Sequence, residues 1–200
     1  MNLFQRTFHY LDKGQHKRTN MITLCVLLMV TLMILFIPLI IKLIQARVTE
    51  GGLPFVVPHA FGLSTLVLLA SSWVLYKARQ HKSRDQYRQL CRSLFALLLL
   101  GGLFLLLQYK GWQQVFTDTH HQQIKIIMVI VAVHALHFII ALVLAAILLI
   151  RTLAFKSPAE SYIYFLQPER NLFFKSTYLY WDYLGFLWTG LYVILLLKGL

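Results

Sequence analysis

Five long apolar blocks, separated by short polar and basic connections, set the pattern of this 200-residue chain. They run from about Met21 to Ile44, Phe55 to Tyr76, Ser93 to Tyr109, Ile124 to Ile150 and Ser176 to Leu197. A helix rises 1.5 Å per residue, so about 20 mostly apolar residues cross the hydrocarbon core of a bilayer. Each block approaches or exceeds that length. The pattern predicts an all-α, polytopic membrane protein, with five transmembrane helices forming one integral domain over residues 1–200.

The polar residues inside the blocks refine this picture. The fourth block carries only His134 and His137 near its middle, beyond Lys125 at its start. Three residues apart, the two imidazoles share one side of a helix. At mid-depth such a pair prefers another helix, a polar cavity or a cofactor to lipid, so this helix is expected to lie against the body of a larger membrane assembly. The second block holds Ser64, Thr65, Ser71 and Ser72, a density of small hydroxyls that points to helix packing or an internal polar seam. The third block leaves through Gln108, Tyr109 and Trp112, and the two rings suit the aromatic belt at a membrane surface. The fifth opens with Tyr178, Tyr180, Trp181, Asp182, Tyr183 and Trp188, of which Asp182 is the one carboxylate within a block. Arg151 to Lys175, with Pro158 and Pro168, reads as a connection.

Composition and charge then decide between function classes. At 58% hydrophobic residues and a mean hydropathy of +0.66, the chain is far more apolar than a soluble domain. Its formal charge of +12 lies between the blocks and so describes topology, not a nucleic-acid partner. With the N-terminus inside, 14 of the 19 Lys and Arg residues fall on the inner side and 5 on the outer, which predicts a cytoplasmic N-terminus and a periplasmic or extracellular C-terminus. No cleavable export signal or transit peptide is evident, and a bacterial inner membrane is the expected location. Cys25 and Cys91 are too few for a zinc cluster or a disulfide framework.

Three uses of His134 and His137 can be weighed. A b-type haem between helices takes one histidine from each of two helices; these two lie on one, and His59 sits near the outer end of its block. A metal needs a carboxylate or third imidazole at matching depth, and none is evident. The third use is a hydrogen-bonded pair packing at a helix or subunit interface. Asp182 reads either as an acid in proton uptake or as a carboxylate held by snorkelling or by a partner on the fourth helix. Gly51-Gly52, Gly101-Gly102 and Gly111 fit no phosphate loop, and no Ser-His-Asp set, CxxC or HExxH is present. A small subunit or carrier fits these features better than a lone enzyme.

Taken in order, several of these residues give a resemblance over nearly the whole chain. The second block has Pro58, Thr65, Ser71-Ser72 and Ala78; the third exits through Gln108 and Trp112; the fourth carries His134, His137 and Ala141; the last has Tyr180, Trp181, Tyr183 and Trp188. The sequence resembles subunit III of the haem-copper respiratory oxidases (the cytochrome c oxidase family), in a short five-span form. It departs where the family has a glutamate, here Gly111, and where the last span has a histidine and an aspartate, here Asp182 and Gly185. The resemblance implies a non-catalytic accessory subunit of a complex that reduces oxygen to water and pumps protons. On that reading the chain stabilises subunit I and binds phospholipid, with no active site, haem or metal of its own. Haem and copper are then expected in partner subunit I and copper in subunit II. The resemblance also admits an accessory protein of a quinol oxidase or a nitric oxide reductase, and an unrelated small membrane carrier remains the alternative outside it.

Overall fold

A computed structural model describes residues 23, 25–42, 44–45, 57–116, 122–155 and 158–199. The segment before the first apolar block and the connections over residues 46–56 and 117–121 lie outside the described residues. The elements are α1 (Cys25–Lys42), α2 (His59–Ser83), α3 (Tyr87–Phe116), α4 (Gln122–Leu153), α5 (Pro158–Leu166) and α6 (Pro168–Gly199). Five of them, all but α5, are long and apolar enough to cross a membrane, which fits a multi-pass membrane protein.

The helices outrun their apolar blocks. The second block was expected to end at Tyr76, yet α2 continues to Ser83; the third was expected from Ser93 to Tyr109, yet α3 runs from Tyr87 to Phe116; the fifth was expected to start at Ser176, yet α6 starts at Pro168. Hydropathy marks where lipid contact ends, whereas Lys, Arg, Gln and Leu at the block edges are good helix formers that carry the backbone bonds onward. The connection read over Arg151 to Lys175 contains α5. Pro158 and Pro168 each stand at a helix start, where the missing N–H has no partner to lose, and Glu160 and Glu169 follow in the first turns.

Between α2 and α3 the chain reverses within three residues. The Gln86 N–H donates to the His81 carbonyl at 2.9 Å and the Asp85 N–H to the Lys82 carbonyl at 3.3 Å, with Asp85 at φ 54°. This is a Schellman end in which an aspartate takes the left-handed position more often held by glycine.

Neighbouring helices pack antiparallel in a ring: α2 along α3, α3 along α4, and α6 against both α4 and α2. Ring contacts and hydrogen bonds fix the direction. On α6, Trp181 and Trp188 meet Ser71 and Thr65 of α2 in reverse order, and Gly101 and Phe104 of α3 meet Leu142 and Phe138 of α4. Helix α1 lies outside the ring. The Tyr183 hydroxyl donates to the Met29 carbonyl at 3.0 Å and the Cys25 thiol faces the Ser176 carbonyl at 3.6 Å, so α1 runs parallel to α6. Only 11% of its apolar window is buried, against 33–39% in the other four, which makes it the most outward-facing span.

One consequence of the alternation is that the α2 C-terminus, the α3 N-terminus, the α4 C-terminus, α5 and the α6 N-terminus gather at one end of the bundle. There Ala78, Leu90, Leu94, Leu148, Leu149 and Phe174 form a small second core. Among the described residues, this end also holds most of the Lys and Arg side chains.

Candidate functional site

The residues that carry the resemblance come from four helices, and most converge in the ring's interior. Thr65, Ser71, Gln108, His134, His137, Ala141, Tyr180, Trp181 and Trp188 are all buried. The largest side chains at the centre are Trp181, Trp188, Tyr180, Phe61, Phe104 and Phe138, none more than 1% exposed. Trp181 and Trp188 stand seven residues apart, two helical turns, so both indoles face α2.

The hydroxyls of α2 meet them. Ser71 Oγ donates to its own helix at the Leu68 carbonyl, 2.7 Å, and accepts from Trp181 Nε1 at 3.1 Å. Thr65 Oγ1 donates to the Phe61 carbonyl at 2.8 Å and accepts from Trp188 Nε1 at 3.0 Å. Ser64 Oγ donates to the same carbonyl at 2.8 Å and accepts from Gln108 Nε2 at 3.0 Å. Each hydroxyl thus joins a carbonyl of its own helix to an N–H from another helix, with no charge placed in the interior. The seam expected from the density of hydroxyls exists and is internal. Ser64 belongs to it although only Thr65, Ser71 and Ser72 carry the resemblance. Ser72 is only half-buried and lies outside the seam, near Gly185, where an added Cβ would stand 3.6 Å from its Oγ.

His134 and His137 do not form the hydrogen-bonded pair expected from their spacing. Three residues on a 3.6-residue turn leave them about 60° apart around the axis, enough to send the rings into different surroundings. His137 Nδ1 donates to the Val133 carbonyl of its own helix at 2.8 Å, and the Tyr180 hydroxyl reaches the His137 carbonyl at 3.4 Å. His134 is fully buried where α1, α3, α4 and α6 meet. Its ring lies 5.2 Å from Trp188, 6.1 Å from Phe104 and 6.3 Å from both Phe36 and Phe138. Neither of its nitrogens has a hydrogen-bond partner in the structure. His59, the other imidazole considered for haem, is exposed at the first residue of α2. No group of three or more His, Cys, Asp or Glu side chains able to hold a metal occurs among the described residues.

Asp182 stands apart from this interior. Its Oδ2 is 3.7 Å from Arg79 Nη2, both side chains are more than a third exposed, and the Arg79 guanidinium lies 3.2 Å over the Tyr178 ring. The partner is therefore an arginine from α2, not the fourth helix as the sequence suggested. Arg79 lies beyond the apolar block that ends at Tyr76, yet it occupies a helical turn of α2. Around it the same end places cations on rings: Lys82 over Phe174 at 4.4 Å and Phe165 at 4.7 Å, Arg170 over Tyr164 at 4.1 Å, Arg151 over Phe173 at 5.2 Å. Lys82 also donates to Asn171 Oδ1.

The position where the resembled family has its glutamate is closed by packing. A Cβ on Gly111 would fall within 2.5 Å of Phe61 Cδ1 and 3.1 Å of its Cζ. Phe61 in turn packs edge-on to Trp188 at 5.6 Å. Side-chain bulk at 111 has to displace a fully buried ring. Trp112, next along, is half-buried and lines a groove between α3 and α4 together with Tyr109 and Gln108.

Set beside known proteins, the chain matches no family model and no curated protein sequence.

Proposed function

We propose that this chain is a non-catalytic accessory subunit of the subunit III type, serving a haem-copper terminal oxidase that reduces oxygen and pumps protons. It packs on the outside of subunit I, with subunit II in the same complex, and keeps the catalytic chain intact in the lipid. The observation that carries this reading is the convergence of the motif residues. Thr65, Ser71, Gln108, His134, His137, Ala141, Tyr180, Trp181 and Trp188, drawn from four helices, meet in one buried, uncharged interior. Motif residues shared by chance have no reason to share a location.

The chemistry of that interior also favours support over catalysis. Its hydroxyls are committed to helix carbonyls and indoles, its acids are absent, and its rings fill the space between helices. A carrier needs a polar path that alternates its opening between the two sides. Here the α2 hydroxyls close on the Trp181 and Trp188 indoles and the Gln108 amide instead. The chain's outward faces are apolar, with Leu27, Ile34, Leu66, Leu106 and Phe186 each at least 59% exposed, as suits lipid and neighbouring membrane helices.

Affinity purification of the tagged chain in mild detergent, with mass spectrometry and a visible spectrum, tests the proposal. It predicts co-purifying large chains that bear haem and copper, and no absorbance band from the chain alone. Isolation as a homo-oligomer without those chains would overturn it in favour of a carrier. A haem band from the isolated polypeptide would overturn it in favour of an electron carrier.

A further inference from the structure

The outward faces of the ring differ in chemistry. At mid-span α3 and α4 turn hydrocarbon outward, as at Leu99, Leu106, Leu136 and Val143. The α2–α6 face carries charge. Asp182 of α6 lies 3.7 Å from Arg79 of α2, too far for a hydrogen bond, and neither side chain makes one among the described residues. Arg79 Nε is buried without a partner, whereas both side chains are more than a third exposed, which leaves the outer guanidinium nitrogens and the carboxylate open to a neighbour. The pair attracts without bonding. Arg79 stands four residues, about 6 Å, inside the end of α2, where unused donors and acceptors are costly unless something meets them.

The symmetry of this arrangement names its complement. Arg79 and Asp182 sit side by side at one depth, on neighbouring antiparallel helices. A half-turn about an axis along the membrane normal exchanges left for right and keeps depth, so a second copy facing this surface sets its acid opposite Arg79 and its arginine opposite Asp182. The four charges then alternate around the axis, and each finds a partner from the other chain. The rest of the α6 face agrees. Phe186, one turn deeper than Asp182 and on the same side, is 82% exposed, the most of any large apolar side chain among the described residues. One turn further, Gly190 is exposed and a Cβ there would meet nothing within 4 Å, so two α6 backbones can approach closely. The Phe186 rings, at equal depth in both copies, pack across the same axis. We propose that the α2–α6 face is a homodimer interface, in which a second copy docks about a two-fold axis along the membrane normal and Arg79 of each chain bonds Asp182 of the other. This inference does not rest on the accessory-subunit reading, and it leaves the α1, α3 and α4 faces to other chains.

The test uses the full chain in native membranes, with the photo-crosslinker p-benzoylphenylalanine in place of Phe186 and, for comparison, of Leu106 on α3 or Leu136 on α4. Irradiation should join two copies of the chain from position 186 and not from the other two. Charge exchange then tests the contact itself. Arg79→Glu alone sets like charges against each other across the axis, as does Asp182→Lys alone, and each should cut the joined product from position 186 about tenfold. Co-expressed with different tags, the Arg79→Glu and Asp182→Lys chains are complementary to one another at both contacts. Capture of one should bring down the other about tenfold more than either brings down a second copy of itself. A pair satisfied within its own chain, or by water or lipid headgroups, gives no such rescue. Adducts from position 186 to lipid alone or to a different protein would overturn the proposal. So would joined copies in equal yield from position 106 or 136, or mixed capture no greater than self-capture. Should a charge variant fail to fold, the crosslinks still decide.

Discussion

In the middle of the bundle, the Trp181 and Trp188 indoles and the Gln108 amide each donate to a hydroxyl on α2 at 3.0–3.1 Å. At the basic end, Arg79, Lys82, Arg151 and Arg170 rest on aromatic rings at 3.2–5.2 Å, and Asp182 meets Arg79 at 3.7 Å with both side chains partly exposed. The contrast follows from the surroundings. Where no water reaches, neutral dipoles can be matched in pairs, and an unmatched one is heavily penalised. At the end, long cationic side chains lay their stems and charges on ring faces and still reach a wet surface. Mutations should therefore be severe at the seam and mild at the end, even though the end holds the charges.

The sharpest way to break this contrast is at Gly111. Gly111→Glu drives a side chain into Phe61 and buries an unpaired acid, with an expected loss of about 3 kcal/mol or more in detergent unfolding. Gly111→Ala should already lose about 1–3 kcal/mol, despite the better helix propensity of alanine. Full stability of either variant would show that Phe61 moves aside freely. Next in size is Thr65→Val. It keeps the shape and strips the Trp188 N–H of its acceptor, which should lower unfolding stability by about 1–3 kcal/mol. Trp188→Phe in the Thr65→Val background should then add less than it does alone, a coupling that a double-mutant cycle reads directly.

Far smaller effects are expected at the basic end. Asp182→Asn and Arg79→Gln should each change stability by less than about 1 kcal/mol, since a part-exposed ion pair is screened and the asparagine keeps an acceptor. On the proposed accessory role, purified complex carrying Asp182→Asn should keep both the chain and its oxygen consumption over many turnovers. Faster inactivation with the subunit fully retained would assign Asp182 to proton supply instead. Smallest of all is Asp85→Gly, which relieves a left-handed aspartate at the α2–α3 turn and should be neutral or slightly stabilising. A thermal melt checks it.

These particular residues also show how much the sequence could reveal. The five spans were legible because lipid contact demands apolar length, and the hydroxyl seam was legible because Ser64, Thr65 and Ser71 have no reason to face lipid. The partners were not, since which indole meets which hydroxyl depends on the order of helices around the ring. Arg79 was hidden because hydropathy ends a span before the helix ends. The pair of prolines framing α5 carried a usable signal, namely an acid one or two residues after each, which a reading by hydropathy alone passes over. Nothing local in the sequence shows that Phe61 occupies the space beside Gly111, because the two stand on different helices.

The central claim is that the motif-bearing interior serves packing, and His134 tests it best because neither nitrogen of this fully buried ring is matched. Replacing an unmatched buried imidazole by an apolar side chain of similar size removes a desolvation penalty of about 1–3 kcal/mol. The decisive measurement is the melting temperature of His134→Leu in detergent, taken together with the haem content of the complex it purifies with. The account predicts a melting temperature equal to the unmodified chain or a few degrees higher, at about 2–4 °C per kcal/mol, with haem per partner chain unchanged. A folded His134→Leu chain whose complex has lost haem in proportion would contradict it.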